Sequence, residues 1–143
     1  MDEESFMKVN KYGTEVWRNK ECTIHRKNGP AVIHANGHKE WRINGALHRE
    51  DGPAIIYSNG DKLWYINDSL HREDGPAIEL HDGSKAWYQE GKLHRVDGPG
   101  REFDGKKEWW LNDILYKTKE EYFDALSGEA KTKCLFSEDF LNE

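Results

Sequence analysis

The chain has 143 residues, 36% hydrophobic and 34% charged, with 21 Lys and Arg against 27 Asp and Glu for a formal net charge of −6. That length suits one domain. The missing basic excess argues against direct nucleic-acid binding and against docking on an anionic membrane. Cys22 and Cys134 are too few for the disulfide framework of a small secreted protein, so a reducing cytoplasm is the expected location. The acidic start, MDEESFMKVN, is not a signal peptide, and no apolar run is long enough to span a bilayer.

In chain order, residues 1–14 read as a lead-in, with Phe6, Met7 and Val9 able to form a first short strand. Residues 15–115 read as an array of repeats. One segment recurs as IHRKNGPA from Ile24, LHREDGPA from Leu47 and again from Leu70, and LHRVDGPG from Leu93. Its histidines, His25, His48, His71 and His94, are 23 residues apart, and a fixed period of that size signals a repeat architecture. Each unit reads as a strand carrying Trp (Leu63-Trp64-Tyr65-Ile66), a tight turn (Asn44-Gly45, Asn67-Asp68 or Glu90-Gly91), the His-Arg segment, an Asp-Gly-Pro turn, a strand such as Ala54-Ile55-Ile56-Tyr57 and a closing turn. Proline gives no ladder donor, so Pro53, Pro76 and Pro99 are placed at strand starts. Gly52, Gly75 and Gly98 precede those prolines and are expected to hold backbone angles closed to other residues, with Gly98, nearer the array's end, the least costly to replace.

Aligning the units gives columns. Trp41, Trp64, Trp87 and Trp109 form one, and Arg42, Tyr65, Tyr88 and Trp110 the next, on the opposite sheet face. Val32, Ile55 and Ile78 supply packing, with His34, Tyr57, Leu80 and Phe103 two residues on and facing the same way. The first unit holds one extra residue near Asn19–Glu21, and the fourth lacks one between Pro99 and Gly105. Residues 116–143 read as a helical cap. Thr118 and Glu121 form a capping box, Tyr122, Phe123 and Leu126 a buried side, Ser127 opens a second helix with Ala130, Cys134 and Leu135 apolar, and Ser137 caps a last turn. The cap is expected to act as a lid over the final strand.

No metal, cofactor or catalytic residue is expected. The four repeat histidines occupy equivalent positions roughly 10 Å apart and cannot share one ion. His34 and His38 are four apart but span the Asn36-Gly37 turn. Repetition of His, Arg and Asp implies a shared structural job, because a catalytic site needs a single convergence. Asp51, Asp74 and Asp97 can pair with Arg49, Arg72 and Arg95, while each histidine packs on a tryptophan and reaches backbone carbonyls. The same arginines remain candidates for contact with a partner. Tyr65, Tyr88 and Trp110 are the candidate anchors, since Tyr and Trp dominate binding hot spots.

These units, with Trp, Asn-Gly, His and Asp-Gly in a 23-residue period, resemble MORN repeats, and more closely the MORN-like repeat proteins of tailed bacteriophages and large DNA viruses, built on W-Y-x-N-G-x-x-H-R-x-D-G-P-A and often closed by a short helical tail. The Tyr-x-Gly-x-Trp start of the MORN unit is absent, so the membrane-lipid role of some MORN proteins is not carried over. The resemblance covers about residues 15–136 and implies a mostly β, single-layer antiparallel meander of hairpins and a viral origin. The expected function is a non-enzymatic phage accessory factor that binds and inhibits a host defence protein, its partner's basic surface meeting the acidic balance. The alternatives are a small-molecule sponge with an aromatic and Arg-lined pocket, and a structural or assembly protein that forms homo-oligomers through the repeat edge.

Overall fold

The structure, a computed structural model, describes residues 4–141. Residues 1–3 of the expected lead-in and 142–143 of the expected cap lie outside the described residues. The fold is mostly β, an antiparallel meander of short hairpins closed by short C-terminal helices. Residues 1–71 and 72–143 form two compact units.

In the first unit, β1 (Phe6–Val9) pairs with β2 (Glu15–Arg18), which pairs in turn with β3 (Val32–Ile33), and β3 with β4 (Lys39–Glu40). A separate hairpin follows, β5 (Arg42–Ile43) with β6 (Ala46–Leu47). The ladder resumes with β7 (Ile55–Ile56), bonded to β4 and to β8 (Lys62–Leu63), and β9 (Tyr65–Ile66) pairs with β10 (Ser69–Leu70) as a second separate hairpin. Ala31, Ala54, Val32 and Ile55 are the buried apolar residues here, all at or beside the Pro-Ala strand starts.

The expected continuous Trp strand is two strands. Trp41 falls between β4 and β5, and its two backbone groups face different neighbours: its N–H donates to the Ala54 carbonyl at 2.7 Å and its carbonyl accepts from the His48 N–H at 3.1 Å. Each such tryptophan is thus the point where the chain leaves the long ladder for a side hairpin. Trp109 differs, because it sits inside an uninterrupted six-residue strand.

Turn chemistry explains the two irregular units. Asn44-Gly45 and Asn67-Asp68 have positive φ at both central residues, the type I′ geometry whose twist matches the flanking strands. The extra residue of the first unit enlarges that turn. Cys22 takes the left-handed position (φ 64°), and the buried Asn19 holds the loop through bonds from the Glu21 and Thr23 N–H groups to its Oδ1. The closing turns at Asn36-Gly37, Asn59-Gly60 and Asp82-Gly83 have positive φ at glycine alone, as in a three-residue loop. Losing one residue in the fourth unit converts the loop at Asp104-Gly105 to two residues with φ of 49° and 70°.

In the second unit, β11 (Ile78–Glu79) pairs with β12 (Lys85–Ala86), and a side hairpin follows, β13 (Tyr88–Gln89) with β14 (Lys92–Leu93). The ladder continues from β12 to β15 (Arg101–Phe103), then β16 (Lys106–Leu111) and β17 (Ile114–Tyr116). Three helices close it: α1 (Lys119–Ala125), α2 (Gly128–Leu135) and α3 (Glu138–Leu141). Thr118 and Ser127 cap the first two, accepting from the Glu121 and Ala130 N–H groups. Trp109, Leu111, Tyr122, Leu126 and Cys134 form one buried cluster, with Val96, Tyr116, Phe123, Ala130 and Phe140 around it. The helices therefore cover the Trp109 face of β16 more than the last strand, where Ile114 and Leu115 stay 56% and 50% exposed. Leu135, expected on the apolar side of α2, is exposed, because Cys134 takes the buried position.

Candidate functional site

The repeated His-Arg-x-Asp-Gly-Pro segment is a staple. Arg49 Nε donates to Asp51 Oδ1 and its Nη1 to the Pro53 carbonyl. Arg72 and Arg95 do the same with Asp74 and Pro76, and with Asp97 and Pro99, all at 2.9–3.1 Å. The guanidiniums of Arg26, Arg49 and Arg95 also lie 3.9–4.0 Å from the ring centroids of Trp17, Trp41 and Trp87. Their other side rests on the glycine of the turn. A Cβ on Gly52, Gly75 or Gly98 would stand 2.8, 3.0 or 2.6 Å from the arginine Cζ. Glycine is required there to seat the guanidinium between ring and backbone, and not for the unusual backbone angle that the sequence suggests, since none of the three has positive φ.

The histidines couple successive units. Nδ1 of His25 accepts from the Asn44 N–H at 2.9 Å, that of His48 from Asn67 at 3.2 Å, and that of His94 from Asn112 at 3.1 Å. The ring thus takes a backbone N–H instead of serving a carbonyl as expected, which places its proton on Nε2. Burial holds His94 below the ordinary imidazole range. Alongside, the Arg49 N–H donates to the Tyr65 carbonyl and the Arg95 N–H to that of Trp110, so each staple segment bonds to the next side hairpin.

Of the three candidate anchors, Tyr65 lies half-buried in the first unit opposite Leu70. Trp110 is packed into the scaffold: its Nε1–H donates to Glu108, and a Cβ on Gly100 would meet its own Cβ at 2.8 Å. Tyr88 does line a surface groove of about 510 Å³, with Ile78, Leu80, Ala86, Leu93 and Phe103. Burial raises the Tyr88 phenol's pKa against the opposing pull of Arg101, so the hydroxyl stays protonated and able to donate. Arg101 itself stacks on Phe103 at 4.2 Å. Leu80 and Phe103 were legible as one column, and Tyr88 joins them by the same alternation, because it lies two residues beyond Ala86, which pairs with Ile78 on one side and Arg101 on the other. A second groove, of about 650 Å³, runs in the first unit along Arg26, Lys27, Trp41, Ile43, His48 and Arg49. Its two arginines are already committed to their staples.

One cluster breaks the repeat. His34 and His38 flank the closing turn of the first unit, and the turn brings them together where the sequence reading takes it to keep them apart. The His34 N–H donates to the His38 carbonyl, and the rings meet edge to face at 4.9 Å. Both Nε2 atoms approach one oxygen, Glu40 Oε1, at 3.7 and 3.9 Å.

Among the described residues no helix is long and apolar enough to cross a membrane. No protein-family model matches the sequence, and neither a curated protein nor a solved structure matches it.

Proposed function

We propose that this chain is a non-enzymatic binding protein, a viral accessory factor of the host cytoplasm that occupies and inhibits a host defence protein with a basic surface. The Tyr88 groove carries this reading: an apolar floor with one aromatic hydroxyl, rimmed by Ser84, Lys85, Arg101 and Glu102, all on strands or hairpins. Charge supports the partner's sign, since the net charge is −6 and residues 116–143 hold four lysines against seven acids. The likeness of the units to viral MORN-like repeats supports the source, and the free thiols Cys22 and Cys134 support a reducing compartment. A small-molecule sponge is the second reading, favoured by the groove along Arg26, Trp41, Ile43 and Arg49. Self-assembly through the sheet edge draws support from β1, where Phe6, Met7 and Val9 are 58%, 46% and 57% exposed.

The test is capture from host lysate with wild type and with Tyr88→Ala, Phe103→Ala, both checked by thermal melt. A protein partner retained by the wild type and lost by the folded variant, with a deficit of about 2 kcal/mol or more, supports the reading. Equal retention moves the site elsewhere. A stoichiometric small molecule released on denaturation favours the sponge, and full effect at sub-stoichiometric protein means turnover and an enzyme.

A further inference from the structure

We infer that His34, His38 and Glu40 form a three-ligand site for a divalent transition metal of the zinc class. The repeat itself does not need these three side chains. Position 34 is occupied by Tyr57 and Leu80 in the next two units, position 38 by Asp61 and Ser84, and position 40 by Leu63 and Ala86. None of these substitutes disturbs the hairpin, so the scaffold does not demand imidazole or carboxylate there. The first unit alone places two imidazoles and one carboxylate on the same hairpin face, and their ligand atoms all lie within 4.8 Å of one another. A single convergence at positions the scaffold leaves free is the signature that the repeated His and Arg lack.

The local geometry follows from the strands. His38 and Glu40 are two residues apart and so share a face, and the His34–His38 backbone pair sets the two rings opposite each other. Zinc–nitrogen and zinc–oxygen bonds of about 2.0–2.2 Å in a tetrahedron put ligand atoms about 3.3–3.5 Å apart. The carboxylate-to-imidazole separations of 3.7 and 3.9 Å need to close by a few tenths of an ångström, and the set as a whole, within 4.8 Å, closes further by rotation of the exposed His34 ring. Both imidazoles present Nε2 toward the same carboxylate oxygen, the arrangement that a shared ion would bridge.

The surroundings hold the ligands. Arg42 Nε donates to the other Glu40 oxygen, Oε2, at 2.8 Å, and Arg42 Nη1 to the Gly45 carbonyl, leaving Oε1 aimed at the rings. Tyr57 braces His38 edge to face at 4.2 Å. His34 is 40% exposed, so an ion reaches the site from solvent and keeps at least one position open for water or a partner's ligand. Two nitrogens and one oxygen suit zinc, cobalt or nickel, and disfavour calcium and magnesium, which take all-oxygen sets. The Arg42 cation offsets the Glu40 negative charge, which weakens the electrostatic pull of the donor set on a cation.

Chelator-stripped protein titrated with Zn(II) by calorimetry, and with Co(II) followed by visible absorption, tests this. The expected result is one saturable ion per chain, cobalt d–d bands of a low-coordinate site, and a raised melting temperature with zinc. His34→Ala and His38→Ala should each weaken zinc binding about 100-fold or more and abolish the cobalt bands, beyond the 10–100-fold typical of losing an outer partner. His34→Ala, at the more exposed ligand, leaves a folded protein if His38→Ala does not. Absence of saturable zinc binding by wild type, or unchanged affinity in the His34→Ala, His38→Ala double variant, would overturn the assignment.

Discussion

At the scale of single residues, the sandwich of guanidinium between tryptophan and glycine is the unit of construction. The exposed Asp51 and Asp74 carboxylates, 88% and 87% accessible, add little to it, because solvent screens such pairs. The aromatic face and the proline carbonyl hold the arginine. A methyl group on the glycine must displace a guanidinium pinned on all sides, so Gly52→Ala and Gly98→Ala should each cost about 1–3 kcal/mol in urea unfolding. Gly98 should cost more, reversing the order expected from its place near the array's end. It is buried, its approach to Arg95 is the closest of the set, and Arg95 is also held by Asp139 from α3. Losses below about 0.5 kcal/mol at both sites would mean the guanidinium moves freely aside, and a larger loss at Gly52 would contradict the order. Cys22 offers the opposite sign. It sits at φ 64° in the enlarged first turn, and Cys22→Gly should stabilise by about 1 kcal/mol, measured in the same assay.

At the scale of elements, the period, the turns, the strand–hairpin order and the helical cap were all legible, because each depends on local chemistry: glycine and asparagine at positive φ, proline at strand starts, Thr118 and Ser127 at helix N-termini. The break at each Trp was not legible. Four residues such as Leu63-Trp64-Tyr65-Ile66 have the same composition whether they make one strand or two, and the switch is set by where the Trp backbone groups bond. The reach of the closing turn was missed for a related reason: a spacing of four reads as separation until the loop type is known, and a three-residue loop sets His34 against His38. The His94 bond makes one of the element couplings sensitive to acid. The folded-state pKa of His94 is depressed by burial, and its Nδ1 must stay unprotonated to accept from Asn112. The unfolded chain, with imidazole near 6.5, therefore binds more protons on acidification. Stability from this group is present above about pH 6.5 and is lost as pH falls through the lower folded value. Melts between pH 7.5 and 5.5 should show a smaller acid-induced drop in His94→Gln than in wild type. A parallel pair of curves would remove His94 as the cause. In the cap, Tyr122 is fully buried and its hydroxyl donates to the Arg95 carbonyl, so Tyr122→Phe should cost about 1–3 kcal/mol by leaving that carbonyl unsatisfied.

At the scale of the whole molecule, the account separates two classes of residue. Those that recur, His and Arg above all, are consumed in building the array. Those that depart from the repeat, or that line the open groove around Tyr88, are the ones left to meet a partner. The most direct measurement is the affinity of the captured host protein for Tyr88→Ala and for Arg49→Lys, taken beside their melting temperatures. Tyr88→Ala is expected to stay folded, with only the modest loss of a half-buried ring, and to bind about 30-fold more weakly, while Arg49→Lys, which loses the planar fork over Trp41, melts lower and binds as wild type does. Full affinity in Tyr88→Ala together with lost affinity in a stable Arg49→Lys would contradict it, because the repeated staple would then be the binding surface.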